Sequence, residues 1–377
     1  MRRKAFISLA ALLALLAGSA CTRQDPLPTG EVKLTFSVGQ PETRAITPGI
    51  TGPADGGAIF CTGAGTQADP YVPDLHIFIA DSEGDIVARY PGLTASCDVN
   101  AANTQATVSF SGMTAGEYTV YAIANTNGGV WGAPADQDAW NAILTREDPE
   151  DPAPATVLES LTLNHGSDPQ PVVSDRMPLS ASGTLTVQAT GNGEVSLELL
   201  RCVAGVKVQF ENATSGALVL GDSEDDNKNV SVSIGSINPT SGKLIPPASG
   251  DDVSGDLQTL TMSASSLTIP KGGTALLSAS TYFVFPSVAP GGTYYCHPVT
   301  FSWTQTTPSS GDPVVTSGSY TSEAPGLRIH DKKSADIPSL LRNQLITIQI
   351  RIANNSDVSF NFVVTDWDKK QERVWFD

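Results

Sequence analysis

The sequence predicts an all-β protein built as two β-sandwich domains in tandem, and three observations carry that prediction. Short runs alternate apolar and polar residues with period two, the pattern of a strand with one buried face. Turn-forming residues are abundant, with 34 Gly and 26 Pro among 377 residues, as a chain of many short strands requires. Long stretches with a helical period are almost missing, and the length is that of two domains.

The first segment, residues 1–20, reads as an export signal. Arg2, Arg3 and Lys4 precede an apolar run from Ala5 to Ala17 and the small residues Gly18, Ser19 and Ala20. That run is too short to span a bilayer. Cys21 directly after small residues looks like a bacterial lipobox, in which the thiol is acylated and becomes the new N-terminus. Gly18 stands where such boxes usually carry Leu, so plain signal cleavage is the alternative. Nothing later has the apolar length of a spanning helix, which leaves a mature protein that is soluble or tethered by lipid. Losing the three basic leader residues takes the net charge from −17 to −20, which argues against nucleic-acid or anionic-membrane partners.

Residues 31–45 read EVKLTFSVGQPETRA, in which Val32, Leu34, Phe36 and Val38 alternate with polar residues as in a half-buried strand. A Gly/Pro-rich stretch runs from there to about residue 70. DLHIFIADSEGDIVARY at 74–90 predicts a hairpin turning at Ser82–Gly84, and QATVSFSGMTAGEYTVYAIANTNG at 105–128 predicts a second, turning at Gly112–Gly116. WGAPADQDAWNAIL at 131–144 is the most helix-compatible piece, followed by a solvated acidic loop around Pro149 and Pro152. Residues 177–212 supply strands about a Gly191–Gly193 turn. Composition becomes acidic at GDSEDDNKN, so the boundary is placed near residue 213, giving domains at 45–213 and 214–377. The second half repeats the short-strand pattern. It ends in the cleanest alternation of the chain: Ile346, Ile348, Ile350 and Ile352, a turn at Asn354–Ser356, then Val358, Phe360, Phe362 and Val364.

Chemistry-bearing motifs are not found: the chain has no GxSxG elbow, HExxH motif or P-loop. His76, His165, His297 and His330 are dispersed and read as structural. The glycines at 63–65 and 191–193 read as turn residues, since no helix start follows them. Asp222, Glu224, Asp225 and Asp226 could offer oxygen ligands to calcium but lack the glycine and distal Glu of a calcium loop. They read as a solvated inter-domain segment. Trp131, Trp140, Trp303, Trp367 and Trp375 could form a sugar platform or, more blandly, core. Among Cys61, Cys97, Cys202 and Cys296 at most one disulfide is expected, Cys61 with Cys97, and Cys202 reads as core. No metal or cofactor is expected, and no enzymatic activity.

Taken in order, several segments resemble those of the fimbrillins, the subunits of the type V pilus that are made as lipoprotein precursors. They are the leader ending at Cys21, the strand followed by ETRA at 42–45, DLHIFIADSEGDIV at 74–87, AGEYTVYAIANTNG at 115–128, MPLSASG at 177–183 and LLRCVAGVKVQF at 199–210. The resemblance implies transthyretin-like sandwiches and an outer-membrane lipoprotein precursor that ends in a cell-surface fimbrium. It further implies cutting by an Arg-specific protease between Arg44 and Ala45. Residues 21–44 would then be a propeptide, and its strand would be replaced by a C-terminal strand from another copy or a related fimbrial subunit.

The physics of strand edges makes that exchange sensible. Removing Val32, Leu34, Phe36 and Val38 would expose about 6–12 kcal/mol of burial and an unpaired edge. The bland reading is a permanent first strand and an ordinary loop arginine. Both C-terminal rows, Ile346–Ile352 and Val358–Val364, are equally regular as donors. Alternatives within the family are an anchor or tip subunit; outside it, a glycan-binding surface lipoprotein or, with no motif in support, a hydrolase.

Overall fold

The computed structural model describes residues 30–38, 61–62, 72–92, 95–99, 105–127, 129–164, 177–225, 228–247, 254–278, 281–321, 327–329, 338–354 and 357–366. Its first half runs β1 (Glu31–Val38), β2 (Cys61–Thr62), β3 (Val72–Pro73), β4 (Leu75–Ala80), β5 (Ile86–Tyr90), β6 (Ala95–Val99), β7 (Gln105–Ser111) and β8 (Gly116–Ala124). Two short helices follow, α1 (Gln137–Leu144) and α2 (Pro154–Ser160), then β9 (Thr162–Asn164), β10 (Leu179–Val187), β11 (Gly193–Arg201) and β12 (Ala204–Asn212). The second half comprises β13 (Ala217–Gly221), β14 (Val230–Lys243), β15 (Ser254–Ala264), β16 (Ser266–Ile269), β17 (Thr274–Leu276), β18 (Tyr282–Val284) and β19 (Ser287–Val288). It closes with β20 (Tyr295–Thr307), β21 (Val314–Thr321), β22 (Leu327–Arg328), β23 (Ser339–Leu340), β24 (Gln344–Asn354) and β25 (Asp357–Asp366). The fold is all-β, in several sheets.

The first sandwich is one strand path, β5-β4-β8-β10-β11-β1-β7-β6, folded over on itself. The fold occurs between β10 and β11, which pair only at Leu179↔Arg201 and Ser180↔Leu200. The two halves face each other across a core of Val32, Leu34 and Phe36 from β1, Leu75, Ile77 and Ile79 from β4, Val108 and Phe110 from β7, and Val120 and Ala122 from β8. Period-two burial brings these residues inward because successive strand side chains point to opposite faces.

The hairpin predicted at 74–90 is present as β4 against β5, with Gly84 at φ +84° in its turn. The one predicted at 105–128 is not a hairpin. β7 pairs with β1 and β6, whereas β8 pairs with β4 and β10, so Gly112–Gly116 carries the chain from one sheet to the other. Met113, 7% exposed, turns inward there and caps the core.

A second apolar layer lies on the outer face of β4 and β8. Phe78, Tyr121 and Ile123 meet Trp140 of α1, Leu158 of α2, Leu163 of β9, Cys202, Val203, Leu244 and Phe285. This explains why β4 is buried at every position from Leu75 to Ala80. The predicted helix is α1, capped by Asp136, whose carboxylate accepts from the Ala139 N–H at 2.9 Å. The acidic loop is followed by α2, with Pro at its start and no side-chain cap.

The second half holds a sheet β17-β12-β24-β25, with β18 also on β12, and a larger sheet β15-β14-β20-β13-β16 with β9, β21 and β22 added. Between them pack Val206, Val208, Phe210, Leu220, Val232, Phe301, Ile346, Ile348 and Ile350. The strand β12 lies before residue 213 in sequence, yet it pairs with β17, β18 and β24. By its pairing it is the first strand of the second sandwich. Its buried row could fill either core. Only two residues, Cys202 and Val203, separate it from β11, and they cross from one sheet to the next.

Trp140, fully buried, holds this middle layer, so Trp140→Ala is expected to cost about 3–5 kcal/mol in urea unfolding. Its neighbour His76 stacks on it at 5.4 Å between ring centroids. Burial holds the His76 pKa below the ordinary 6.5, against smaller upward pulls from its Asn127 hydrogen bond and Asp74. The unfolded imidazole therefore takes up a proton that the folded one resists. Its contribution to stability is complete above pH 6.5 and is lost as pH falls below that value. Urea unfolding in wild type and His76→Gln should show a loss between about pH 7 and about pH 5.5 that is smaller in the variant.

Candidate strand-exchange site

The strand β1 sits in the middle of the first sandwich with a partner on each side. It runs parallel to β11, from Val32↔Gly193 to Val38↔Leu199, and antiparallel to β7, from Glu31↔Ser111 to Ser37↔Gln105. Val32, Leu34 and Phe36 are each 0% exposed. The backbone of Val38 continues the ladder to Leu199; its side chain lies outside the described residues.

Size complementarity fixes the register of the inward row. Phe36 stands beside Ala106, Leu34 beside Val108, and Val32 between Phe110 and Gly193. Large meets small at each end, as close packing demands. Glu31 and Lys33 point out and form a 3.5 Å pair with both side chains about half exposed, which adds little. At the start of the strand the Glu31 N–H donates to Asn192 Oδ1 at 3.1 Å. A Cβ on Gly30 would stand 2.3 Å from the Gly191 carbonyl carbon, so only glycine passes this turn.

Burial of the three described side chains contributes about 5–9 kcal/mol, an upper estimate. The backbone consequence is larger in kind. Without β1, β7 keeps β6, but β11 keeps only its two-residue contact with β10. The slot is bounded by two strand edges that face each other at the spacing of a missing strand, one demanding a parallel partner and the other an antiparallel one.

At the other end of the chain the two candidate donor rows are placed differently. β24 lies inside its sheet between β12 and β25, with Ile346, Ile348, Ile350 and Ile352 in the core. β25 lies at the edge of that path and pairs with β24 from Asn354↔Asp357 to Gln344↔Asp366. Val358, Phe360, Phe362 and Val364 are placed here by backbone and register alone. Cys21, Arg44 and Ala45 lie outside the described residues.

The start of β24 is fixed to the first sandwich. Arg201, at the end of β11, is 1% exposed and donates to Asn343 Oδ1 at 2.7 Å. Arg342 donates to the Ser180 hydroxyl at 3.2 Å, to the Leu244 carbonyl at 2.9 Å, and to the Lys243 carbonyl. Sequence reading missed both arginines, since their partners lie more than 90 residues away.

The other candidate residues have ordinary placements. Trp131 and Trp140 are in the middle layer and Trp303 is half-buried against the second core; Trp367 and Trp375 lie outside the described residues. Lys228 reaches Asp222 at 3.1 Å and Asp225 at 3.2 Å. A cationic side chain thus already sits against the acidic turn. Among the described residues no group of three or more His, Cys, Asp and Glu is placed to hold a metal. Cys202 and Cys296 are fully buried and Cys97 is partly so; the Cys61 side chain lies outside the described residues.

No family profile and no curated protein matches the chain by sequence. Solved structures do match. A candidate cell adhesion protein from Parabacteroides distasonis superimposes with a TM-score of 0.51 over 92% of this chain and 100% of that one, at 11% identity. The tip fimbrial protein Mfa3 from Porphyromonas gingivalis gives 0.46 over 90% and 100%, at 11% identity. A candidate cell adhesion protein from Bacteroides eggerthii gives 0.44 over 91% and 97%, at 12% identity. At such identity the first of these establishes that the two chains share a fold across nearly their whole lengths.

Truncation separates slot residues from the exposed face. Leu34→Ala should cost about 2–5 kcal/mol, whereas Lys33→Ala should stay within about 0.5 kcal/mol, both measured as shifts in urea midpoint at constant slope.

Proposed function

We propose that this chain is a structural subunit of a cell-surface fimbrium that supports adhesion. In this reading it is exported as a lipoprotein precursor acylated at Cys21, is cut between Arg44 and Ala45 by an Arg-specific protease, and polymerises by donor-strand exchange. The observation that carries the reading is the position of β1. A strand with a fully buried apolar row, in the middle of a sheet, is followed in sequence by an arginine and then by residues 46–60 before the next described strand. A cut at Arg44 would leave β1 with no covalent tie to the sandwich that it completes.

The same geometry favours β25 as donor. β24 contributes its isoleucine row to its own core and has strands on both sides. Moving it would dismantle the second sandwich. β25 lies at the end of that strand path and, among the described residues, pairs only with β24. Its row Val358, Phe360, Phe362, Val364 repeats the spacing of Val32, Leu34, Phe36, Val38, with Val at both ends and Phe at the third position. Laid in the slot in the direction of β1, it would put Phe362 in the place of Phe36, beside Ala106.

This supports a stalk over the alternatives, since an anchor would keep β1 and its lipid and a tip would lack a transferable strand. A glycan-binding role would need exposed tryptophans, and of the described ones Trp131 and Trp140 are buried and Trp303 is half-buried.

The N-terminus of protein recovered from producing cells, with its migration on an unboiled gel, decides the matter. Wild type should begin at Ala45 and run as a ladder; Arg44→Ala should keep its acylated Cys21 and run as a monomer. A wild type that keeps Cys21 and stays monomeric would make β1 permanent and favour an anchor or glycan-binding role. The donor is tested separately. Processed protein ending at Asn354 should fold but form no ladder, and Phe362→Asp should shorten the ladder sharply. Full-length ladders from both would exclude β25.

A further inference from the structure

Another edge strand in the molecule, β21, lacks several features that normally protect an edge. β21 pairs with β20 in unbroken register, from Val314↔Thr307 to Thr321↔Thr300, and among the described residues it pairs with nothing else. Seven of its eight residues are exposed. It contains no charged residue, no proline and no bulge, three of the devices by which natural sheets blunt their edges. Val314 and Val315 are 53% and 61% exposed.

The hairpin that presents this edge is held rigidly. The Trp303 indole lies against Gly318, where an added Cβ would stand 2.6 Å from the ring, and Tyr320 stacks on buried Phe301 at 5.4 Å between centroids. The backbone donors and acceptors of the outer edge are therefore presented in one fixed plane, ready to template a further strand.

We propose that β21 is a self-association surface, pairing antiparallel with β21 of a second copy about a two-fold axis through Ser317. Self-complementarity selects a second copy of this chain, and the absence of charge on the edge permits it. With Ser317 opposite Ser317, each exposed Val314 meets Tyr320 of the other copy on the same face, a β-branched residue against an aromatic, which is a favourable cross-strand pair. Thr316 then faces Gly318, and Val315 faces Ser319. The chain carries a net charge of −17, so two copies repel over most of their surfaces. An edge with no charge of either sign lets them approach without setting like charges opposite each other.

The interface is one strand wide, well below the area of a stable complex, so a weak dimer is expected. Along a fibre the same contact would recur on every subunit and act by avidity between neighbouring filaments. The β1 slot and β21 lie in different sandwiches, so lateral pairing does not require strand exchange.

Sedimentation equilibrium of the full chain carrying Arg44→Ala, which retains β1, tests this apart from strand-exchange polymers. The protein should show a reversible monomer–dimer equilibrium. Ser317→Lys and Ser317→Asp should each weaken dimerisation about fivefold or more by setting like charges directly opposite, with thermal unfolding unchanged. Mixing the two variants should restore association as a heterodimer. A monomer at all concentrations, dimerisation that both variants leave intact, or a mixture no stronger than either variant alone would overturn the proposal.

Discussion

The structure depends on the pairing of β11. This strand has β1 along nearly its whole length on one side and on the other touches β10 only at its end. Its inner-edge hydrogen bonds and the closure of the first core both rest on residues 31–38. A backbone row left without partners costs about as much as the hydrogen bonds it loses, and the apolar row beneath it adds to that cost. Whatever occupies the slot must run parallel to β11, present an apolar residue at every second position, and place a large side chain beside Ala106. These requirements specify a strand narrowly, and they say nothing about which chain it belongs to.

The middle layer fixes the second sandwich against the first. Phe78, Tyr121, Trp140, Leu244 and Phe285 weld the two halves along the outer face of β4 and β8. The buried Arg201–Asn343 bond and the Arg342 contacts pin the start of β24 to the same region. Arg201 lies at the very end of β11, so the strand that borders the slot and the strand that holds β25 are joined through one hydrogen bond. β24 is thus held by its core face, at its start and along both edges. β25 is appended outside that framework.

Much of this was legible in the sequence because period-two alternation maps directly onto inward and outward faces. The row Val32–Phe36 and the row Ile346–Ile352 are buried as their patterns predict, and α1 lies within the helix-compatible segment 131–144. Pairing was less legible. The segment Gly112–Gly116 is short enough for a hairpin and also for a step between sheets, and no local residue decides between them; the buried Met113 does so only after folding. β12 has an alternating pattern that suits either sandwich, so composition placed the boundary after it while hydrogen bonding joins it to β24. Cys21 was singled out by the leader pattern, and Arg44 and Ala45 by the family resemblance; all three lie outside the described residues. Arg201 and Arg342 left no trace in pattern at all, because a buried arginine is recognised by partners that only the fold assembles.

The two sandwiches place their first strands in the same way, and the contrast between them isolates what is special about β1. In the second, β12 lies parallel to β24, the last strand before the edge, and antiparallel to β17 and β18 on its other side. In the first, β1 lies parallel to β11 and antiparallel to β7. Each carries a buried apolar row, so neither packing nor hydrogen bonding distinguishes a permanent strand from a replaceable one. Connectivity does. β12 follows β11 after two residues and continues after four into β13, so no single break in the chain can free it. β1 is separated from β2, the next described strand, by residues 39–60. One cut within them would turn an intramolecular strand into a separable ligand. Under the proposed cut at Arg44 the covalent tie would be lost, and β1 would be held only by the burial of Val32, Leu34 and Phe36 and by its ladders to β11 and β7, which an incoming strand would have to match.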